Sequence, residues 1–560
     1  MSISRPDPVP VAGRRLAAAV GDGWTLAALA VAAFIALPIL AVAWYALFPR
    51  ENIWPHLIAT TLPRYLGNSL GLMAVVGVMS AAIGTGAAWL TVMTRFPGRR
   101  LLDGLLFAPL AVPAYIGAYA LVDFLEYAGP VQTALREAFG WRSARDYWFP
   151  EIRSFWAAAL VLSFGLYPYV YLLCRAAFRE QSACALEVGR TLGCGPWGVF
   201  FRIALPLARP AIVIGVAVAM METLNDFGAV DYFAVQTLTT GIFTVWLEAA
   251  NRGGAAQIAC VSLALVLGLL LAERKSRARR RYHSLSRRQR PLEPVPLRPL
   301  AGIVAMILCA IPVLIGFVLP VGVMLHHALG HAGQWADPAL WRAALHTLAL
   351  AVAAAVLALG AALVTVYGAR NAASALPRRI LPVIQIGYAA PGAVIAIGIL
   401  LPFAAFDHAL ADAIAALTGH DPGLIVTGSA AGIVLAYLVR FFAVAQGGVE
   451  SGLARVTPAM DMAARSLGRS PRQVLREIHL PLMRGSILTA GLLIFVDSVK
   501  ELPATLILRP FDFDTLSTLT HTQATLERLE QAAPGALMIV AAGLLPILLL
   551  RGSTLSAQGD

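Results

Sequence analysis

Apolar residues in this chain gather into long runs separated by short polar stretches, with no sign of short segments of strict alternation. The runs 24–48, 66–94, 155–175 and 344–368 are each long enough, at 1.5 Å per residue, for a helix to cross a hydrocarbon core of about 30 Å. A helix satisfies its own backbone groups in lipid, whereas a transmembrane barrel would read as alternating segments of about ten residues. Further runs near 102–125, 209–229, 256–272, 300–326, 380–404, 424–444, 485–508 and 534–550 bring the count to twelve. The pattern predicts an all-α integral membrane protein with about twelve transmembrane helices.

Composition agrees: 59% of the 560 residues are hydrophobic, 13% are charged and the mean hydropathy is +0.73. The first run follows Arg14 and Arg15, but its length exceeds the apolar region of a signal peptide and suits a retained span. The five cysteines, Cys174, Cys184, Cys194, Cys260 and Cys309, form no CxxC pair and read as reduced packing residues.

The net charge of +12 gives no reason to expect nucleic acid, because the basic residues sit between apolar runs. The densest cluster, Arg274 to Arg290, reads as a positive-inside loop that can also meet anionic membrane lipid. Arg95, Arg99 and Arg100, the segment Arg175 to Arg202, then Arg370, Arg378 and Arg379, and the segment Arg440 to Arg484 fall on the same side. The rule therefore places these loops and both termini in the cytoplasm.

The chain is also duplicated. At a separation of 275 residues Leu192 pairs with Leu467, Gly193 with Gly468, Pro196 with Pro471, Ile203 with Ile478, Leu205-Pro206 with Leu480-Pro481 and Arg209 with Arg484. Two six-helix halves in parallel orientation follow: 1–272, a basic proline-rich linker at 273–298, and 299–560.

Each repeat has a local structure of its own. Gly193 and Gly468 suit a left-handed helix C-cap, while Pro196 and Pro471 suit the first position of the next helix. Ser470 is placed to cap that helix, with Gly195 at the matching position. The Leu-Pro pairs are expected to break the chain again just before the fifth and eleventh runs. This makes a short helical elbow in each loop, about 176–208 and about 446–483.

Glu187, Gly193, Ile203, Leu205 and Pro206 in one copy, and Ala463, Ala464, Gly468, Ile478, Leu480 and Pro481 in the other, resemble the signature loop of ABC-importer permeases. The first copy keeps the glutamate of that pattern, and the second keeps the alanine pair but has Met462 in place of the glutamate. The resemblance implies a type I permease fold whose elbows, with Pro196 and Pro471, couple to a homodimer of ATP-binding subunits carrying MgATP. No cofactor is expected on this chain. Its two lysines are Lys275, preceded by Arg274, and Lys500, preceded by Val499, so it supplies no Gly-Lys-Ser/Thr phosphate loop and is not expected to be an enzyme itself.

The candidate translocation residues are carboxylates at the ends of the fifth and eleventh runs. Glu222 pairs with Asp497, and Asp226 with Glu501, at the same 275-residue separation. A spacing of four stacks two carboxylates on one helix face in each half. Ionisable groups at that depth mark a pathway or gate, and oxygen ligands suit a hard cation, with no stable metal site expected. The alternative is that they lie in the outer interface, with Lys500 pairing locally with Asp497 or Glu501.

The stretches 222–234, 239–242, 500–512 and 514–516 further resemble ferric-iron ABC permeases, which implies a periplasmic ferric-ion-binding protein as donor. Thiamine or another small solute remains the alternative cargo, and a proton-coupled secondary transporter the alternative class.

Overall fold

A computed structural model describes residues 23–181, 187, 189, 191–278, 294–371, 376–384, 387 and 390–556. Both termini and most of the basic linker lie outside the described residues, as do the residues around Glu187.

Among the described residues eleven helices are long and apolar enough to span a bilayer, and a bent pair makes a twelfth. In the first half they are Gly23–Leu47, Leu62–Met93, the pair Arg99–Ala111 with Ala114–Phe139, Phe155–Arg179, Trp197–Asn225 and Arg252–Lys275. In the second half they are Pro299–Gly330, Pro338–Arg370, Gly392–Thr418, Ala431–Leu453, Leu475–Val499 and Leu529–Pro546. The third run is thus not the single helix 102–125 that its hydropathy predicts. It bends by 98°, with a 3₁₀ turn at Ala108–Ala111 and Pro113 capping the segment that follows. Prolines at both ends of the turn remove donors that a continuous helix would need.

The halves embrace each other. Gly23–Leu47 packs on Pro338–Asn371 and Gly392–Thr418 of the second half, while Leu319–Gly330 packs on Ala114–Leu125 of the first and on Leu529–Ser556. Small residues set these approaches, since a Cβ on Gly398 would meet the Pro38 backbone and one on Gly368 would touch Trp24 and Ala28.

The Leu-Pro pairs do not break the chain, contrary to expectation. Phe200–Ala204 and Leu475–His479 each form one π-helical turn, with the Leu205 and Leu480 N–H donating to the Phe200 and Leu475 carbonyls. The wider turn makes room for the ring of Pro206 or Pro481 one position later, so the helix runs on. A third Leu-Pro pair, Leu319-Pro320, follows a π turn at Leu314–Val318 in the same way.

Candidate functional site

Two regions carry chemistry: the paired elbows, and a cavity at the opposite ends of the helices that leave them.

In each elbow the glycine adopts the left-handed conformation its position predicts, with φ of 82° at Gly193 and 76° at Gly468. The Cys194 N–H donates to the Gly189 carbonyl at 3.0 Å and the Arg469 N–H to the Ala464 carbonyl at 3.1 Å, closing the same C-terminal motif twice. Ser470 caps the following helix, its hydroxyl accepting from the Gln473 N–H while the Gln473 side chain accepts from the Ser470 N–H. Those helices begin at Pro196 and Pro471. Ile203, Leu205, Ile478 and Leu480 are half-buried, Gly189 and Ala464 are buried, and Glu187, Ala463, Pro206 and Pro481 are exposed. Leu192, Trp197 and Phe201 project from the first elbow and Met462 and Leu467 from the second, all more than half exposed. Exposed apolar side chains clustered in this way form a surface of the kind that another protein or the membrane covers.

The second elbow also has an anchor that sequence reasoning missed. Asp461, beside Met462, accepts from the Arg370 guanidinium at 2.6 Å and lies 2.7 Å from Nε2 of His479, which is 2% exposed. Burial alone would raise the Asp461 carboxyl, but the hydrogen bonds from His479 and Arg370 outweigh it and hold the group below its ordinary value. Because the folded value is depressed, this stabilisation is complete above the unfolded carboxylate value of about 4 and is lost as pH falls through the lower folded value. Asp461→Asn is therefore expected to loosen the second elbow at neutral pH by about 1–3 kcal/mol. Faster proteolysis between residues 458 and 470, with the first elbow unaffected, is the outcome to look for; unchanged cleavage would remove the anchor.

The cavity, of about 140 Å³, has room for several water molecules. It lies between the halves and brings together all four predicted carboxylates, Glu222, Asp226, Asp497 and Glu501, along with Arg440, Lys500, Asn225 and Tyr169. The four do not form two equivalent stacks on helix faces. The helix Leu205–Asn225 ends before Asp226, and Leu480–Val499 ends before Glu501. Each of these two carboxylates turns to cap the short helix that follows. Asp226 accepts from the Ala229 and Val230 N–H groups at 3.1 Å, and Glu501 accepts from those of Ala504 and Thr505 at 3.2 Å. The capped helices are Gly228–Tyr232 and Pro503–Leu508. Among the described residues no three His, Cys, Asp or Glu side chains converge as a metal-ligand group.

Arg440 is displaced furthest from its predicted place. The loop charge pattern assigned it to the cytoplasm, yet it lies within the helix Ala431–Leu453, where its Nη1 donates to Oε1 of Glu501 at 2.8 Å. Their side chains are 14% and 1% exposed. Gly392 permits this pair, because a Cβ there would collide with both partners. Lys500 pairs with Asp497 at 2.8 Å, as the local alternative anticipated. Both cations come from the second half, and 275 residues earlier the first half has Gly165 in place of Arg440 and Asn225 in place of Lys500.

Comparison with known proteins bears on both regions. Residues 74–280 and again 366–554 match the family described as the binding-protein-dependent transport system inner membrane component. The chain is 24% identical to the Fe(3+)-transport system permease protein FbpB 2 of Haemophilus influenzae, over 88% of this chain and 90% of that one. It is 32% identical to the molybdenum transport system permease protein ModB of Escherichia coli over 37% of this chain and 89% of that protein. It is 29% identical to the sulfate transport system permease protein CysT of Escherichia coli over 35% of this chain and 70% of that protein.

Proposed function

Because the chain belongs to the family of binding-protein-dependent transport inner membrane components, duplicated within one polypeptide, we propose that it carries ferric ion from a periplasmic binding protein through the cavity between its halves. As such a component it is a multi-pass permease, and it works with a binding protein and an ATPase rather than hydrolysing ATP itself. In the proposed complex a homodimer of ATP-binding subunits holds MgATP and receives the two elbows, which with both termini face the cytoplasm.

The observation that carries the reading is the continuity of two helices. Trp197–Asn225 and Leu475–Val499 each begin in an elbow and end at the cavity, about 40 Å away along the helix axis. Closure of the ATPase dimer would draw the elbows together and shift the far ends towards an outward-open arrangement, and hydrolysis would restore the other state. The cargo assignment draws on the match to the ferric permease along nearly the whole chain and on the carboxylate oxygens, which suit a hard cation. Arg440 and Lys500, with the one-half match to molybdenum permeases, favour a small oxyanion as the second reading.

Uptake into vesicles holding the chain with its ATPase and donor separates these readings. Iron accumulation that needs ATP and survives an uncoupler is expected. Uptake that follows a proton gradient would overturn the import mechanism, and molybdate uptake without iron uptake would transfer the cargo to the second reading.

A further inference from the structure

Three of the four cavity carboxylates already have work. Glu501 is tied to Arg440 and caps a helix, Asp497 is tied to Lys500, and Asp226 caps the helix Gly228–Tyr232. Glu222 stands apart. It lines the cavity one turn before Asp226, and among the described residues it makes no hydrogen bond or ion pair. Three residues on, Asn225 is 6% exposed and also lines the cavity, and its Oδ1 has no hydrogen-bond partner. An unpaired carboxylate and an unsatisfied amide oxygen on adjacent turns of one helix offer acceptors to something that donates or carries positive charge. Arg440 and Lys500 make their ion pairs with Glu501 and Asp497, and act on Glu222 through space without a direct ion pair.

We propose that Glu222 and Asn225 form a transient site for a hard, multivalent cation held through its own water or anion ligands. Among the described residues no three His, Cys, Asp or Glu side chains converge to coordinate the ion directly. A cation bound through its hydration shell meets acceptors at hydrogen-bond distance and is released without breaking inner ligand bonds, which suits a pathway better than a storage site. The inference rests on the ferric-import reading for its cargo, but the site can be tested without transport.

Terbium(III) is the probe, since its emission is sensitised by nearby tyrosines and Tyr115 and Tyr169 line the same cavity. The full chain in lipid nanodiscs is titrated with terbium, and emission lifetimes in light and heavy water report how many waters the ion keeps. Sensitised emission is expected to be displaced by gallium(III), to fall at least tenfold in Glu222→Gln and at least threefold in Asn225→Ala, with most bound water retained. Emission unchanged in Glu222→Gln overturns the site, and an ion stripped of its water overturns the mode of binding. Iron uptake by the wild-type complex alongside Glu222-independent emission would leave the import reading standing without the site. Glu222-dependent emission with no iron uptake would do the reverse.

Discussion

Arg440→Ala is expected to destabilise the protein by about 3–5 kcal/mol, the usual cost of stranding one member of a buried ion pair. The Glu501 side chain is 1% exposed, and the guanidinium is its charge partner at 2.8 Å. Its other contacts are the Ala504 and Thr505 N–H groups and the Thr505 hydroxyl, which are neutral donors. The loss would appear as a large drop in the melting temperature of the purified chain and in the amount recovered from membranes. Arg440→Met combined with Glu501→Gln removes both charges at similar volume and is expected to recover most of that stability. A single variant that melts with the wild type would show that the pair contributes little, and a double variant as unstable as the single one would assign the effect to packing.

Glu187→Ala is expected to lower donor-stimulated ATPase activity tenfold or more, while Met462→Ala stays within about twofold. Both positions are exposed on their elbows, and only the first carries a charge. Removing one partner of a hydrogen-bonded charge pair at an interface costs about 2–5 kcal/mol, whereas trimming a methionine at a rim costs far less. The second elbow is held instead from within its own half, through Asp461, Arg370 and His479. Equal losses in the two variants would contradict an unequal division between the elbows.

The spans were legible because twenty apolar residues in a row have few alternatives to a helix in lipid. The duplicated elbows were legible because left-handed glycines, and in the second copy a capping serine, impose their geometry locally. Other features depend on what the chain meets elsewhere. Hydropathy cannot distinguish a straight third span from one turned through 98° at Pro109 and Pro113, since every residue of the turn is apolar. Nor could helix periodicity show that Asp226 and Glu501 leave their helices to cap Gly228–Tyr232 and Pro503–Leu508. Arg440 was misplaced by a rule that counts arginines near span ends. Its setting between Val439 and Phe441, within an apolar run, was the available signal that it belongs inside the membrane.

The uneven placement of Arg440 and Lys500 has a bearing on ancestry. A permease assembled from two identical copies of the second half would line its cavity with four acids and four bases, an electrically balanced lining. One assembled from two copies of the first half would hold four acids and no base, because Gly165 and Asn225 stand at the corresponding places. Neither homodimer could reproduce the present excess of acid over base, two of each sign having been matched and two acids left over. Divergence between the two copies thus gives the cavity a net charge closed to any symmetric pair.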